Sequence, residues 1–135
     1  MTDRELVEKK LALLVGYVTD LQRLARLDLL RSDLRERRFV EHTLQLATQV
    51  TLDVASHVVS DEALGEPATN RDLFNLLARG GFIEGDLAER LELMAGFRNI
   101  LVHGYAEVDL AVVEDIVRHR LDDLLRFARA IQRRL

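Results

Sequence analysis

A chain of 135 residues with 48% hydrophobic and 31% charged side chains has the length and balance of one soluble domain, residues 1–135, with little room for two cores. A net charge of −4 excludes a disordered acidic polymer and argues against an extended basic nucleic-acid face, though it leaves room for a small phosphate site. Zero cysteines exclude disulfide scaffolds, thiolate metal sites and a cysteine nucleophile, and no apolar run approaches the roughly 20 residues of a membrane span.

The N-terminal Met1-Thr2-Asp3-Arg4-Glu5 carries mixed charge and leads into no signal-peptide core, so a cytoplasmic protein is expected. With 26 leucines and one proline, the composition points to helices. Val7, Leu11, Leu14, Val18, Leu21 and Ala25 step by 4,3,4,3,4, the stripe of a long packed helix that Thr2 or Asp3 caps and Arg31-Ser32-Asp33 interrupts. Val40, Leu44, Ala47, Thr51, Val54 and Val58 repeat the pattern in a second helix. Leu64-Gly65-Glu66-Pro67 reads as a loop, Thr69 and Asp72 as a weak capping pattern before a short helix Leu73–Ala78, and Gly80-Gly81 as its end. Asp86 is placed to cap a helix from Leu87 to about Val102, which Gly104 would close as a left-handed residue. Asp109 then precedes a third stripe, Val117, Leu121, Leu124, Ala128, Ile131 and Leu135. The three striped helices are expected to run about 20–28 residues each, or roughly 30–40 Å.

Four long helices and one short one make an all-α, up-and-down bundle. Leu13, Leu24, Leu27, Leu29 and Leu30 exceed what one narrow seam needs. A broad monomer core and a dimer interface both account for that surplus, and pairing into a homodimer is the favoured explanation.

Chemistry concentrates at the end of the fourth long helix, in Gly96-Phe97-Arg98-Asn99-Ile100-Leu101-Val102-His103-Gly104-Tyr105. Asn99 and His103 share a helix face, so the amide could orient the imidazole. Arg98 lies five residues before His103, about 140° around an ideal helix, so on a regular helix the two diverge. Loosening near Gly104, a curled arginine or a second copy of the chain would bring them together. A capping histidine beside a surface arginine has the same spacing.

The longer string Arg98-Asn-Ile-Leu-Val-His103-Gly-Tyr105 resembles the R-x4-H-x-Y signature of HepT-like proteins of the HEPN superfamily. Leu64-Gly65-Glu66-Pro67, Phe74–Gly81 and Leu87-Ala-Glu-Arg-Leu before Met94-Ala-Gly-Phe-Arg98 extend the likeness over nearly the whole chain. The resemblance implies a helical homodimer with Arg98 and His103 of both subunits lining an interface cleft, without metal or cofactor. It implies an endoribonuclease toxin that acts on RNA rather than DNA, opposite an MNT-type nucleotidyltransferase antitoxin that transfers AMP onto Tyr105. His103 would exchange protons, Arg98 would hold phosphorane oxygens, and Asn99 would orient the histidine. The competing function is a noncatalytic HEPN module that binds nucleotide or assists a nucleotidyltransferase.

Other constellations are weaker. Gln45, Gln49, Asp53 and His57 form a polar row in which two metal-capable groups do not make a site. Arg35, Arg37 and Arg38 read as a solvated face, His42 and His119 as isolated and exposed, and Glu84-Gly85-Asp86 as loop and cap. There is no glycine-rich phosphate loop and no G-x-S-x-G.

Overall fold

The computed structural model describes the backbone of residues 2–103 and 109–135 and the side chains of residues 2–97 and 109–135. Every regular element among them is helical: α1 (Arg4–Leu24), α2 (Leu34–Asp61), α3 (Asp72–Arg79), α4 (Gly85–His103), α5 (Leu110–His119) and α6 (Leu121–Arg133), with one 3₁₀ turn at Leu27–Leu29. None is long and apolar enough to cross a membrane.

Helix starts follow the side-chain chemistry of their caps. Asp3 accepts from the Leu6 N–H, Asp33 from Arg35 and Asp109 from Ala111, each satisfying a donor that the first turn leaves without a partner. At α3 the capping pattern works from its far side, since the Asp72 carboxylate accepts from the Ala68 and Thr69 N–H groups at 2.9 and 3.1 Å. Asp86 differs from expectation: the Ala88 N–H already bonds the Glu84 carbonyl, so α4 begins two residues earlier, at Gly85, and Asp86 lies inside its first turn.

Helix ends are closed by backbone geometry. Phe82 N–H reaches Leu77 O and Gly81 N–H reaches Ala78 O, a six-to-one and five-to-two pair that requires the positive φ of Gly81 (79°). The same pair of bonds ends α2, from Leu64 to Val59 and from Ala63 to Ser60, yet there an alanine holds the left-handed position, φ 52°. The Gly104 closure expected for α4 lies outside the described residues.

α1, α2, α4 and α6 form the bundle, each packing on two of the others in the order α1–α2–α4–α6 and back to α1. α1 runs antiparallel to α2 and α6, and α4 to α6: Lys10 early in α1 meets Asp53 late in α2, Glu8 meets Gln132 late in α6, and along α4 Asp86 meets Arg126 while the later Arg90 meets the earlier Asp123. The stripes face inward: Val7, Leu11, Leu14, Val18 and Leu21 meet Val40, Leu44, Ala47, Thr51, Val54 and Val58. Each large side chain taken fully out of water contributes on the order of 1.5–3 kcal/mol. Phe74 of α3 meets Phe127 of α6 edge-on, centroids 6.2 Å apart, which ties the short helix to the bundle.

The third stripe does not form one long helix. It breaks at Arg120 into α5 and α6, where Arg120 has φ −120° and the Asp123 N–H takes the tight three-residue bond to its carbonyl. The apolar steps from Val117 to Leu121 and on to Leu124 continue across the break, so the stripe carries no signal of it. The surplus leucines divide: Leu30 is fully buried, Leu27 packs on the core, Leu29 is half-buried, and Leu13 and Leu24 remain 51% and 59% exposed.

Candidate functional site

α4 carries the candidate residues on its last turns. Its N-terminal part is anchored by buried Leu87, Leu91, Met94, Ala95 and Phe97, and its outer side is open, with Leu93 61% exposed and nothing within 4 Å of a Cβ added at Gly96. The backbone stays helical through His103, so Asn99 and His103 are one turn apart on one face. Arg98 continues the register of Leu87, Leu91 and Met94, whereas His103 continues that of Glu92 and Gly96. Along a regular helix the two positions therefore stand about 140° apart, and no unwinding before His103 brings them together. The side chains of Arg98, Asn99 and His103, and Tyr105 as a whole, lie outside the described residues.

The weaker constellations resolve into structural roles. In the polar row of α2, Gln49 donates to Asp53 at 2.9 Å and Lys10 of α1 stands 3.7 Å from the same carboxylate. Among the described residues no group of three or more metal-capable side chains gathers. Arg37 is turned inward to the Leu30 and Arg31 carbonyls (3.3 and 2.9 Å) and clamps the turn before α2, while Arg35 and Arg38 are exposed. His42 and His119 are exposed as expected. Glu84 and Asp86 both face Arg126 of α6, at 3.5 and 3.4 Å. Partial desolvation works to raise the Asp86 carboxyl, but the Leu87 N–H and the Arg126 guanidinium outweigh it and hold its pKa below the usual aspartate value.

Two clusters escaped the sequence reading. Asp123 is buried, with Oδ1 3.3 Å from Arg90 of α4 and 3.9 Å from Arg126, and with Oδ2 lacking a hydrogen-bond partner among the described residues. The signal against it was its neighbour: Asp122-Asp123 looks like an acidic first turn facing solvent. Beside it, Arg126, Arg129, Arg133 and Arg134 of the α6 end line one groove with Phe82, a spacing of 3, 4 and 1 that a helical wheel would have gathered.

Known proteins share this architecture and this length. Residues 9–131 match the family described as Ribonuclease HepT-like. An mRNA nuclease HepT of Shewanella oneidensis is 38% identical over 89 residues, 66% of this chain and 67% of that protein. A tRNA nuclease HepT of Aphanizomenon flos-aquae is 29% identical over 106 residues, 77% of this chain and 72% of its own length. The solved structure of a tri-AMPylated Shewanella oneidensis HEPN toxin in complex with an MNT antitoxin superposes with a TM-score of 0.88 at 30% identity, covering 98% of this chain and 99% of that one. With a family match spanning almost all of the bundle, including α4 and its R-x4-H-x-Y string, the chain belongs to the HepT-like ribonuclease family of HEPN proteins.

Proposed function

We propose that this chain is the toxin of a HEPN–MNT toxin–antitoxin pair, an endoribonuclease that cuts RNA without metal at an Arg98/His103 site shared between two copies of the chain. The observation that carries this reading is the R-x4-H-x-Y string at the end of α4, in a bundle that matches an AMPylated HEPN toxin over nearly its whole length. Cleavage starts when the RNA 2′-hydroxyl attacks the adjacent phosphorus, forming a cyclic phosphate as the bond to the 5′-oxygen breaks. One histidine takes the hydroxyl proton and the other supplies a proton to the leaving oxygen, which suits a group that titrates near neutral pH. The guanidinium of Arg98 holds the phosphorane oxygens through two parallel N–H bonds as their charge develops.

A two-fold pair supplies both histidines, and it also answers the divergence of Arg98 and His103 along a single α4. Asn99, one turn before His103, is the orienting residue. Leu13, Leu24 and Leu93 leave apolar surface for a partner copy. Silencing follows when the MNT partner joins AMP from ATP to the Tyr105 hydroxyl, with pyrophosphate leaving. The added phosphodiester brings negative charge and bulk two residues from His103 and repels an RNA strand.

The test is incubation of pure, unmodified protein with RNA in EDTA, beside Arg98→Ala and His103→Ala. Cleavage by the unsubstituted chain and its loss in both variants are expected. Intact RNA from folded, unmodified protein would refute the nuclease.

A further inference from the structure

We propose that the groove between the α3–α4 turn and the C-terminal half of α6 is a second RNA-backbone contact site, remote from the Arg98/His103 segment; this rests on the reading that the chain acts on RNA. The groove has a volume of about 460 Å³ and is rimmed by Arg126, Arg129, Arg133 and Arg134. It opens beside the start of α4, so the 19-residue helix separates it from His103 by about 28 Å at 1.5 Å per residue. An RNA strand held in the groove and cut at the far end of α4 would follow the side of the bundle.

The four arginines are not equivalent. Arg126 is already answered by Glu84, Asp86 and Asp123, and Arg129 stands 3.9 Å from Asp122. Arg133 has no hydrogen-bond or ion-pair partner among the described residues and is exposed. Arg134 faces no carboxylate there. Its guanidinium lies 4.2 Å from the Phe82 ring centre, and its Nη1 donates to the Gly81 carbonyl at 2.9 Å. The left-handed Gly81 turn that closes α3 thus presents both the ring and the carbonyl that pin this fork. A pinned planar guanidinium loses little entropy on binding and keeps its remaining N–H edge for a phosphate.

The lining favours a phosphate chain over an acidic protein segment. A protein interface needs an accessible apolar anchor at its centre, but Ile83 and Leu87 are buried at the groove floor and Arg134 covers Phe82. The accessible groups are the guanidiniums, which contact phosphate oxygens and stack on bases, and the exposed carboxylates of Glu84 and Asp122, which face Arg126 and Arg129 and leave Arg133 and Arg134 for a phosphate. The net charge of −4 is compatible with this, because the site is local.

The experiment measures binding of fluorescein-labelled oligouridylate to the His103→Ala protein in EDTA across a series of NaCl concentrations. The plot of log affinity against log salt should flatten by about 0.7 for each phosphate contact removed from a single strand. Arg133→Ala alone should therefore lower the slope by about 0.7, and Arg129→Ala/Arg133→Ala/Arg134→Ala by roughly 2. The corresponding lysine variants, which keep the charge, should retain the slope. Arg133→Ala guards against a folding artefact, since that side chain holds no intramolecular contact among the described residues. An unchanged slope in both alanine variants overturns the proposal, and loss of nucleotidyltransferase co-purification with an unchanged slope overturns it in favour of a protein partner. RNA cleavage by the unsubstituted protein is scored in parallel, so failure of the nuclease reading is seen separately from failure of the groove.

Discussion

Asp123 of α6 is 2% exposed and meets the Arg90 guanidinium of α4 at 3.3 Å, across the same helix pair whose far end carries His103. Burying a carboxylate costs desolvation that only close charge and hydrogen bonding offset. Here Oδ1 has both arginines and Oδ2 has no partner among the described residues, so the group is half satisfied. Asp123→Asn should destabilise the protein by about 1–2 kcal/mol, since the freed arginines are solvated. Asp123→Leu should cost no more than Asp123→Asn, because an apolar side chain removes the orphaned oxygen. Urea midpoints at constant slope measure both, and a leucine variant weaker than the asparagine one would contradict this account.

Ala63 holds a backbone conformation that a side chain with a Cβ resists, at φ 52°. Ala63→Gly should raise stability by up to about 1 kcal/mol, the left-handed strain relieved less the extra entropy of glycine in the unfolded chain. In the mirror position, Gly81→Ala should lower it by about 1–2 kcal/mol. A thermal melt in which Ala63→Gly lowers the midpoint would show that the helix end relaxes differently.

Asp109 opens α5, accepting from the Ala111 N–H at 2.9 Å, directly after the undescribed segment that contains Tyr105. Asp109→Ala should cost about 1 kcal/mol, and Asp109→Ser should recover most of it. Equal midpoints for all three proteins would mean that the cap contributes nothing to global stability.

Glu114 of α5 accepts from Arg31 at 2.9 Å, and that guanidinium, with Arg118 one turn on, holds its carboxyl below the ordinary glutamate value of 4.5. A carboxyl depressed in the folded state stabilises above its unfolded value and loses that contribution as pH falls through the folded one. The melting difference between wild type and Arg31→Ala should therefore be largest near neutrality, shrink below about pH 4.5 and diminish with salt. A difference that grows on acidification would reverse the sign and sink the assignment.

For the proposed nuclease, His103→Ala should lower the cleavage rate by about 10²–10⁴-fold and Arg98→Ala by about 10²–10³-fold. Because the proposed site uses the histidine of each copy, a mixed dimer of one unsubstituted and one His103→Ala subunit should be nearly as impaired as the His103→Ala homodimer. Mixed dimers, verified by mass spectrometry, that keep about half of the unsubstituted rate would place the site within one subunit.

Much of the fold was legible because apolar side chains repeat at helical spacing. The α1 and α2 stripes, the Asp3 and Asp109 caps and the Gly80-Gly81 stop follow from local geometry that each short segment carries alone, whereas Asp33, read only as part of a helix break, proves to be the cap of α2. The R-x4-H-x-Y string was legible in the same way, as a spacing on one helix end. The break at Arg120 was not, because the apolar stripe runs through it in unbroken steps. Nor were the burial of Asp123 beside an exposed Asp122, or the stacking of Arg134 on Phe82 across more than fifty residues of chain. Charge placement of that kind depends on which helices become neighbours: α4 and α6 run antiparallel, and only that packing sets Arg90 opposite Asp123 and the α3 turn under the end of α6. Periodicity fixes which face of a helix turns inward, whereas the polar partner met there is decided when the helices assemble.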